Sequence, residues 1–449
     1  MPLTASVSCP GTVWPYYPDL LSRPVPRYTS YPTAMEFTES VGSEDYATAL
    51  AALAPATDLS LYVHIPYCHE ICWYCGCNTG AANRKQRLES YQLAIEQEMA
   101  AVSRMLGGRG RVRRIAFGGG SPNALAPVDF VRLVDRLLIL FSVDNPAISV
   151  ELDPRSFTLE WALMLASIGT SRVSLGVQTF APHVQTGIGR VQPLEDIESC
   201  MAALRLRGIN QINFDLMYGL PGQSLSDLED TIKQAIAMRP TRIALFGYAH
   251  LPSMIPRQRR IDGSSLPDAE LRFMQSERGY ALLTQAGYVP VGFDHFALPE
   301  DSLAIAASDG RVHRNFQGFT EDDMPVMLGF GASAISKFPH LLVQNRKNVG
   351  EYRSELQQGC LPIERGVRLN EEDQCAAAII ENLLCHGTAT PSPNLLEMIW
   401  PRLAPFAERG LLERSENKLT LTQAARPYAR LIASQFDNFR GNKALAKQV

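Results

Sequence analysis

Four of the nine cysteines in this 449-residue chain fall in CHEICWYCGC, positions 68 to 77. Cys68, Cys72 and Cys75 are spaced C-x3-C-x2-C, and Cys77 follows two residues later. A structural zinc site usually takes four ligands as two separated pairs, and the chain has no second C-x2-C. Three closely spaced thiolates instead suit three irons of a 4Fe-4S cube, which leaves the fourth iron open to a substrate or cofactor; zinc is the competing reading. A fourth thiolate would close the cube. Cys77 is therefore expected near the cluster but not on it, either beside the substrate or as a small packing residue in a tight loop.

Elements that repeat along the chain must position this loop. β-branched runs at 61–65, 113–117, 148–152, 172–177, 212–218 and 242–248 predict buried strands. Between them, apolar residues at helical spacing predict helices over 91–106, 127–141, 194–208 and 225–238. Such βα units imply a parallel sheet covered by helices, with the working groups at the strand C-terminal ends. The stretches GGGSP, DPR, QTF and YGLPG follow directly on these strands and are expected to converge there.

The flanks differ. WPYYPDLLSRPVPRYTSYPTA, residues 14 to 34, is rich in Pro and Tyr and predicts an extended arm packed over the barrel. After about residue 360 the chain turns helical, with a hairpin at 411–422, which predicts a small winged-helix-like domain. The expected division is an arm at 1–55, a barrel at 56–350 and a helical C-terminal domain at 351–449. The first 20 residues lack a basic flank followed by an apolar run, so no secretory signal is read and a cytoplasmic protein with reduced thiols is expected. The composition, 46% hydrophobic and 20% charged, is that of a globular protein and offers no membrane span. A net charge of −4 with dispersed Lys and Arg argues against a nucleic-acid surface. Arg257, Arg259 and Arg260 form a local basic run that is either an anion site or a solvated turn.

The cysteine loop, with Tyr74 as its aromatic and a position after the first strand of a βα series, resembles the signature of radical S-adenosylmethionine (SAM) enzymes. The resemblance implies that SAM chelates the open iron through its amino and carboxylate groups and is cleaved by one electron to methionine and a 5'-deoxyadenosyl radical. Such a ligand needs acceptors round its ammonium, a cation for its carboxylate and partners for its ribose. Gly118, Gly119 and Gly120 let backbone approach closely. Glu151, Gln178 and Asp215 sit at or near strand ends, where a buried polar group is costly unless paired, and Arg190 is suited to a carboxylate. Each alone reads as an ordinary structural hydrogen-bonding residue; their recurrence on successive units points to function.

Longer motifs narrow the resemblance. PRYTSYPTA (26–34), LYVHIPYCHEICWYCGCN (61–78), GVQTF (176–180), FDLMYGLPGQ (214–223), YAHLP (248–252), GFDHFA (292–297), HRNFQGF (313–319) and GFGASAIS (329–336) are similar to those of the oxygen-independent coproporphyrinogen III oxidases over about residues 22 to 345. The resemblance implies a partial (β/α)6 barrel with a helical C-terminal domain. It implies cluster ligation by Cys68, Cys72 and Cys75, and SAM contacts from Tyr62, Gly118, Gly119, Ser121, Glu151, Gln178, Arg190 and Asp215. A second SAM would lie near Ala249. The implied reaction is oxidative decarboxylation of two propionates of coproporphyrinogen III to vinyls, giving protoporphyrinogen IX for haem synthesis. An unidentified electron donor and acceptor are required, and a monomer is expected.

Two departures stand out. Ser121 replaces the usual Thr but keeps the hydroxyl, and ENLLCHGTAT (381–390) differs from the family's usual CNF stretch. The competing functions are a haem-binding chaperone of the same superfamily, a haem-modifying radical SAM enzyme, and an iron-sulfur redox sensor. The chaperones usually carry Phe at the place of Cys77 and lack the PRYTSYPTA arm; a sensor leaves the SAM-pocket groups unexplained. His295 and His313 shape the substrate pocket or the proton supply, or are hydrogen-bonded structural residues. Tyr16, Tyr17, Tyr28 and Tyr31 cover the cavity or simply pack. Cys200, Cys360, Cys375 and Cys385 lack ligand spacing and read as ordinary thiols.

Overall fold

The computed structural model describes residues 13–22 and 25–441. The first 12 residues, which open both the expected arm and the stretch read for a signal, lie outside it, as do residues 442–449. The β-branched runs form six parallel strands: β1 (Asp58–Ile65), β2 (Arg111–Gly119), β3 (Val143–Leu152), β4 (Thr170–Gln178), β5 (Gln211–Tyr218) and β6 (Arg242–Gly247). They pair in chain order, each parallel to the next. The expected helices appear as Lys85–Leu106, Pro127–Leu140, Leu194–Leu206 and Leu225–Met238. The first begins earlier than its apolar period because its opening residues, Lys85, Gln86 and Arg87, are polar and exposed.

The sheet extends well beyond these six strands. Val326–Phe330 pairs parallel with β1, with Tyr62 opposite Gly329. Ile335–Phe338, Leu341–Asn345 and Ile363–Arg368 add antiparallel strands on that side, and His295–Ala297 and Val289–Val291 add two beside β6. The resulting order of twelve strands is linear among the described residues, so the barrel is open. The sheet runs past the division expected at residue 350, since Ile363–Arg368 belongs to it.

Leu61, Val63, Phe117, Val150, Leu175, Phe214 and Leu245 belong to the main apolar core. At the N-terminal ends of the strands, Arg172 and Arg242 meet Asp301 at 3.1 and 2.6 Å, and Arg242 also meets Glu321 at 2.9 Å. This buried network occupies the end opposite the cysteine loop, and its two guanidiniums outweigh burial to hold Glu321 far below the usual carboxylate range.

The arm carries one helical turn, Pro18–Leu21, where Pro takes the first position that needs no N–H, and a helix at Ser43–Ala51 that leads into β1. It is fastened to the far end of the chain: Tyr428 Oη donates to Pro15 O at 2.7 Å and accepts from Tyr17 N at 2.9 Å, and Tyr28 Oη donates to Asp437 at 2.8 Å. The C-terminal domain has helices Glu371–His386 and Pro393–Ala407. Its hairpin, Leu412–Ser415 with Lys418–Leu421, forms a small three-stranded sheet with Thr388–Ala389, as a winged-helix-like reading requires. After the hairpin the helical character expected of this region takes the form of short turns, Gln423–Tyr428, Ala429–Ala433 and Ser434–Phe436, with Pro427 inside the first. Among the described residues no helix is long and apolar enough to cross a membrane.

Candidate active site

The cysteine loop leaves the C-terminal end of β1 and is closed at its base by a short ladder, Tyr67 opposite Gly80 and Cys68 opposite Ala81. Its middle is pinned from three sides. Trp73 N donates to Ile188 O at 3.0 Å, Gln258 Nε2 donates to Tyr74 O at 2.9 Å, and Arg257 donates to Thr79 O at 3.2 Å and to Thr79 Oγ1 at 2.6 Å. Gly189 is needed beside Trp73: it has φ +64°, and a Cβ there would lie 2.6 Å from the indole. The loop is thus held as a wall of a cavity of about 580 Å³, which Cys68, Cys72, Cys75 and Cys77 all border.

The four thiols are not equivalent. Cys72 is buried and accepts from Arg190 Nη1 at 3.2 Å and from Arg155 Nη2 at 3.4 Å. Burial pushes Cys68 up to about 12. Cys75 is drawn down, chiefly by a hydrogen bond from the Cys77 side chain, and that same bond raises Cys77 and keeps it a thiol. The Cys77 N–H also donates to Cys75 Sγ at 3.4 Å.

Strand ends supply the facing groups. Arg190 meets Asp153 at 3.1 Å and donates to Gly176 O at 2.6 Å. Asp153 also holds Arg155 at 2.6 Å. Burial opposes the Asp153 carboxylate, but the two guanidiniums more than offset it and hold its pKa below the ordinary value. Glu151 accepts from Gly119 N at 3.3 Å, and burial, reinforced by the charge of Asp215, pushes its carboxyl up to about 7. Asp215 accepts from Ser174 Oγ at 3.1 Å and Asn213 Nδ2 at 2.9 Å, and burial raises it as well. Gln178 takes φ +65°, which turns it off the strand direction at the end of β4.

Of the residues expected at the site, Cys68, Cys72, Cys75, Gly119, Glu151, Gln178, Arg190, Asp215 and Ala249 border the one cavity. Tyr62, Gly118 and Ser121 stand behind its lining. Tyr62 Oη is 3.1 Å from His64 Nδ1, and its ring stacks edge-on against Phe316, centroids 4.4 Å apart. His64 Nε2 lies 3.4 Å from Asn78 O; burial draws this imidazole down to about 4, so it is neutral and bridges Tyr62 to the loop. Gly118 leaves room for Glu151: a Cβ there would fall 2.5 Å from Oε2. Ser121 is turned away, its Oγ bonded to Asn123 and accepting from Asp153 N at 3.0 Å. It sets the height of Asp153.

Sequence reasoning noticed DPR but assigned it no role, and it missed Asp153 and Arg155 as partners of Arg190 and Cys72. The hairpin His313–Asn315 with Gly318–Thr320 was also unassigned; Phe316 at its tip touches Tyr62, and Gln317 hydrogen-bonds Glu151. At its base His313 Nδ1 meets Glu381 at 3.2 Å, which places the divergent 381–390 segment behind the hairpin. His295 is buried against Asp294 at 2.7 Å; neither histidine borders the cavity. Of the four arm tyrosines only Tyr28 lines it, while Tyr16 and Tyr17 pack on Phe273 and Tyr428, and Tyr31 packs on Phe439. Arg259 and Arg260 are exposed. Cys200, Cys360, Cys375 and Cys385 are free thiols away from the site.

The donor set fits a cluster better than a single ion. Among the described residues no three His, Cys, Asp or Glu side chains gather closely enough to share one metal, whereas three thiols spread along one cavity wall suit a cube that gives each its own iron. A ligand with a carboxylate finds Arg190, whose buried Nε has no partner in the protein.

Comparison with known proteins agrees. The radical SAM superfamily model matches residues 62–235. The oxygen-independent coproporphyrinogen III oxidase of Bradyrhizobium diazoefficiens is 38% identical over 423 residues, covering 92% of this chain and 94% of that one. The Escherichia coli protein of the same name is 36% identical, with 94% of each chain covered. The solved structure of coproporphyrinogen III oxidase from Escherichia coli, described as a radical SAM enzyme, superposes with a TM-score of 0.89 at 34% identity, over 95% of this chain and 99% of that one. With a cysteine-walled cavity at the strand ends of an open barrel and likeness along nearly its whole length, the chain belongs to the oxygen-independent coproporphyrinogen III oxidases of the radical SAM superfamily.

Proposed function

We propose that this chain decarboxylates two propionates of coproporphyrinogen III to vinyls without oxygen, yielding protoporphyrinogen IX. The observation that carries the reading is the meeting, on one cavity, of Cys68, Cys72 and Cys75 with Glu151 and Asp215 from two strands and Arg190 from the connection between them. In this reading the three cysteines hold a 4Fe-4S cluster, and Cys77 remains a thiol beside it. When bound, the cluster and SAM supply a 5'-deoxyadenosyl radical able to take a propionate β-hydrogen, after which loss of carbon dioxide and one electron leaves the vinyl.

The protein's share is binding and exclusion. Arg190 pairs the SAM carboxylate and exchanges part of its bond to Asp153 for it. Glu151 as carboxylate receives the ammonium, Gln178 and Asp215 take up hydroxyls, and Gly118 and Gly119 admit the ligand's approach. Ser121 and Tyr62 act through Asp153 and His64. Ala249 adjoins a second SAM, so that two rounds of chemistry are served in one cavity. The arm and the C-terminal domain keep water from a radical that would otherwise be quenched. The arm (1–55), the barrel (56–350, with Ile363–Arg368 added to its sheet) and the C-terminal domain (351–449) divide the work in this way.

The test is an anaerobic assay of iron-loaded protein with SAM, a reductant and coproporphyrinogen III, read by mass. Deoxyadenosine together with protoporphyrinogen IX is the expected result. Deoxyadenosine without decarboxylated porphyrin would overturn the substrate, and neither product from an intact cluster would overturn the reaction.

A further inference from the structure

Guanidiniums gather where the arm, the barrel edge and the C-terminal domain meet. Arg314 and Arg430 both lie over the ring of Phe293, 4.7 and 5.3 Å from its centroid. Arg314 donates from Nε to Tyr28 O at 3.0 Å and from Nη2 to Arg27 O at 3.1 Å. That bond draws Arg27 into the group. Arg27 in turn donates to Gly247 O at 2.8 Å, at the end of β6, and borders the cavity.

The group holds more positive charge than the protein answers. The adjacent carboxylate is Asp294, and it is already engaged by His295 Nδ1 at 2.7 Å. Among the described residues none of Arg27, Arg314 and Arg430 makes an ion pair, and Arg430 has no hydrogen-bond acceptor. Arg314 is only 9% exposed, yet its Nη1 is buried without a partner. Burial and mutual repulsion both hold Arg314 and Arg430 below the ordinary guanidinium value. Cations gathered in this way are costly unless an anion completes them.

The proposed substrate is a tetra-anion of which two carboxylates do not react, and it has to be held by groups that leave the reacting side chains free. We propose that Arg27 and Arg430, with Arg314 as the positioning residue behind them, bind the carboxylates of the propionates that are retained. Guanidinium suits this task because it pairs a carboxylate through two parallel bonds. Arg27 is exposed and borders the cavity, and Arg430 retains accessible surface. The inference rests on the function proposed above.

The test uses iron-loaded full-length protein and two fluorescent probes, coproporphyrin III and its tetramethyl ester, which has no carboxylate. Arg27→Gln and Arg430→Gln are each expected to weaken coproporphyrin III binding by about tenfold or more, to leave binding of the ester unmoved and to keep SAM affinity and iron content. Arg430→Lys, which keeps the charge without the fork, is expected to recover part of the loss and guards against a folding artefact. Equal binding of coproporphyrin III by the variants and the unchanged protein would overturn the subsite while leaving the function intact. Failure of the unchanged protein both to bind coproporphyrin III and to decarboxylate its porphyrinogen would overturn both.

Discussion

Arg190 and Asp153 form an ion pair of 3.1 Å that is almost wholly removed from water, at 6% and 8% exposure. Removing one partner of such a pair costs roughly 3–5 kcal/mol when the other is left uncompensated. Asp153 retains Arg155, so Arg190→Ala is expected to cost about 2–3 kcal/mol in denaturant unfolding. The pair Arg190→Ala with Asp153→Ala should cost less than the sum of the singles, and equality with that sum would refute the coupling.

The thiols divide in a second test. Cys72→Ala is expected to lose the iron content and visible absorbance of a 4Fe-4S cluster, whereas Cys77→Ser should keep both. A full cluster signal in Cys72→Ala would remove that residue from the ligand set.

A pH dependence follows from Glu151, raised to about 7 by burial and by Asp215. Below that value the carboxyl is neutral and offers no charge to an ammonium. SAM affinity, measured by calorimetry on iron-loaded protein, should fall about tenfold for each unit below pH 7 and level off above 8. Glu151→Gln should flatten the curve; an unchanged slope in that variant would assign the titration elsewhere.

Glu98 gives a stability prediction far from the site. It is 1% exposed, accepts from Tyr352 Oη at 2.5 Å, Gly331 N at 2.8 Å and Asn345 Nδ2 at 2.6 Å, and burial raises it to about 7. A carboxyl raised above its unfolded value contributes stability that is present below about pH 4.5 and lost as pH rises through about 7. The stability of the unchanged protein relative to Glu98→Gln should therefore fall by about 3 kcal/mol between pH 4.5 and 8. A constant difference across that window would contradict the shift.

The glycine run separates two kinds of crowding. At Gly120 a Cβ would fall 2.5 Å from Tyr67 O and 2.7 Å from Tyr67 N, both backbone, whereas at Gly118 it meets the side chain of Glu151. Gly120→Ala is expected to lower the melting temperature markedly. Gly118→Ala should fold and bind SAM weakly; the reverse ranking would count against the geometry.

The parallel strands were legible because strands buried on both faces are runs of Val, Ile and Leu ended by polar groups, and DPR at the end of β3 is such a group. Its role was hidden because Asp153 is defined by Arg190, which comes from the far side of the next strand. Ser121 is a different case: the resemblance implies a SAM contact there, and the backbone turn at Pro122–Ala124, which the local sequence does not announce, directs its hydroxyl to Asp153 N. The strands from Val326 to Arg368 were missed because they are short and join the sheet only through Val326–Phe330, whose pairing with β1 is a relation between distant segments that no local window contains.

That pairing orders events in the cell. Tyr62 is fixed beside Gly329, so the strand carrying the cysteine loop stays half-paired until most of the chain has been made. At synthesis rates of about 5–20 residues per second, Cys68 leaves the ribosome roughly 15–50 s before Gly329. Throughout that interval the strand from which the thiol loop departs has only one of its two neighbours in the sheet, so the frame of the site is complete only when the chain is nearly finished.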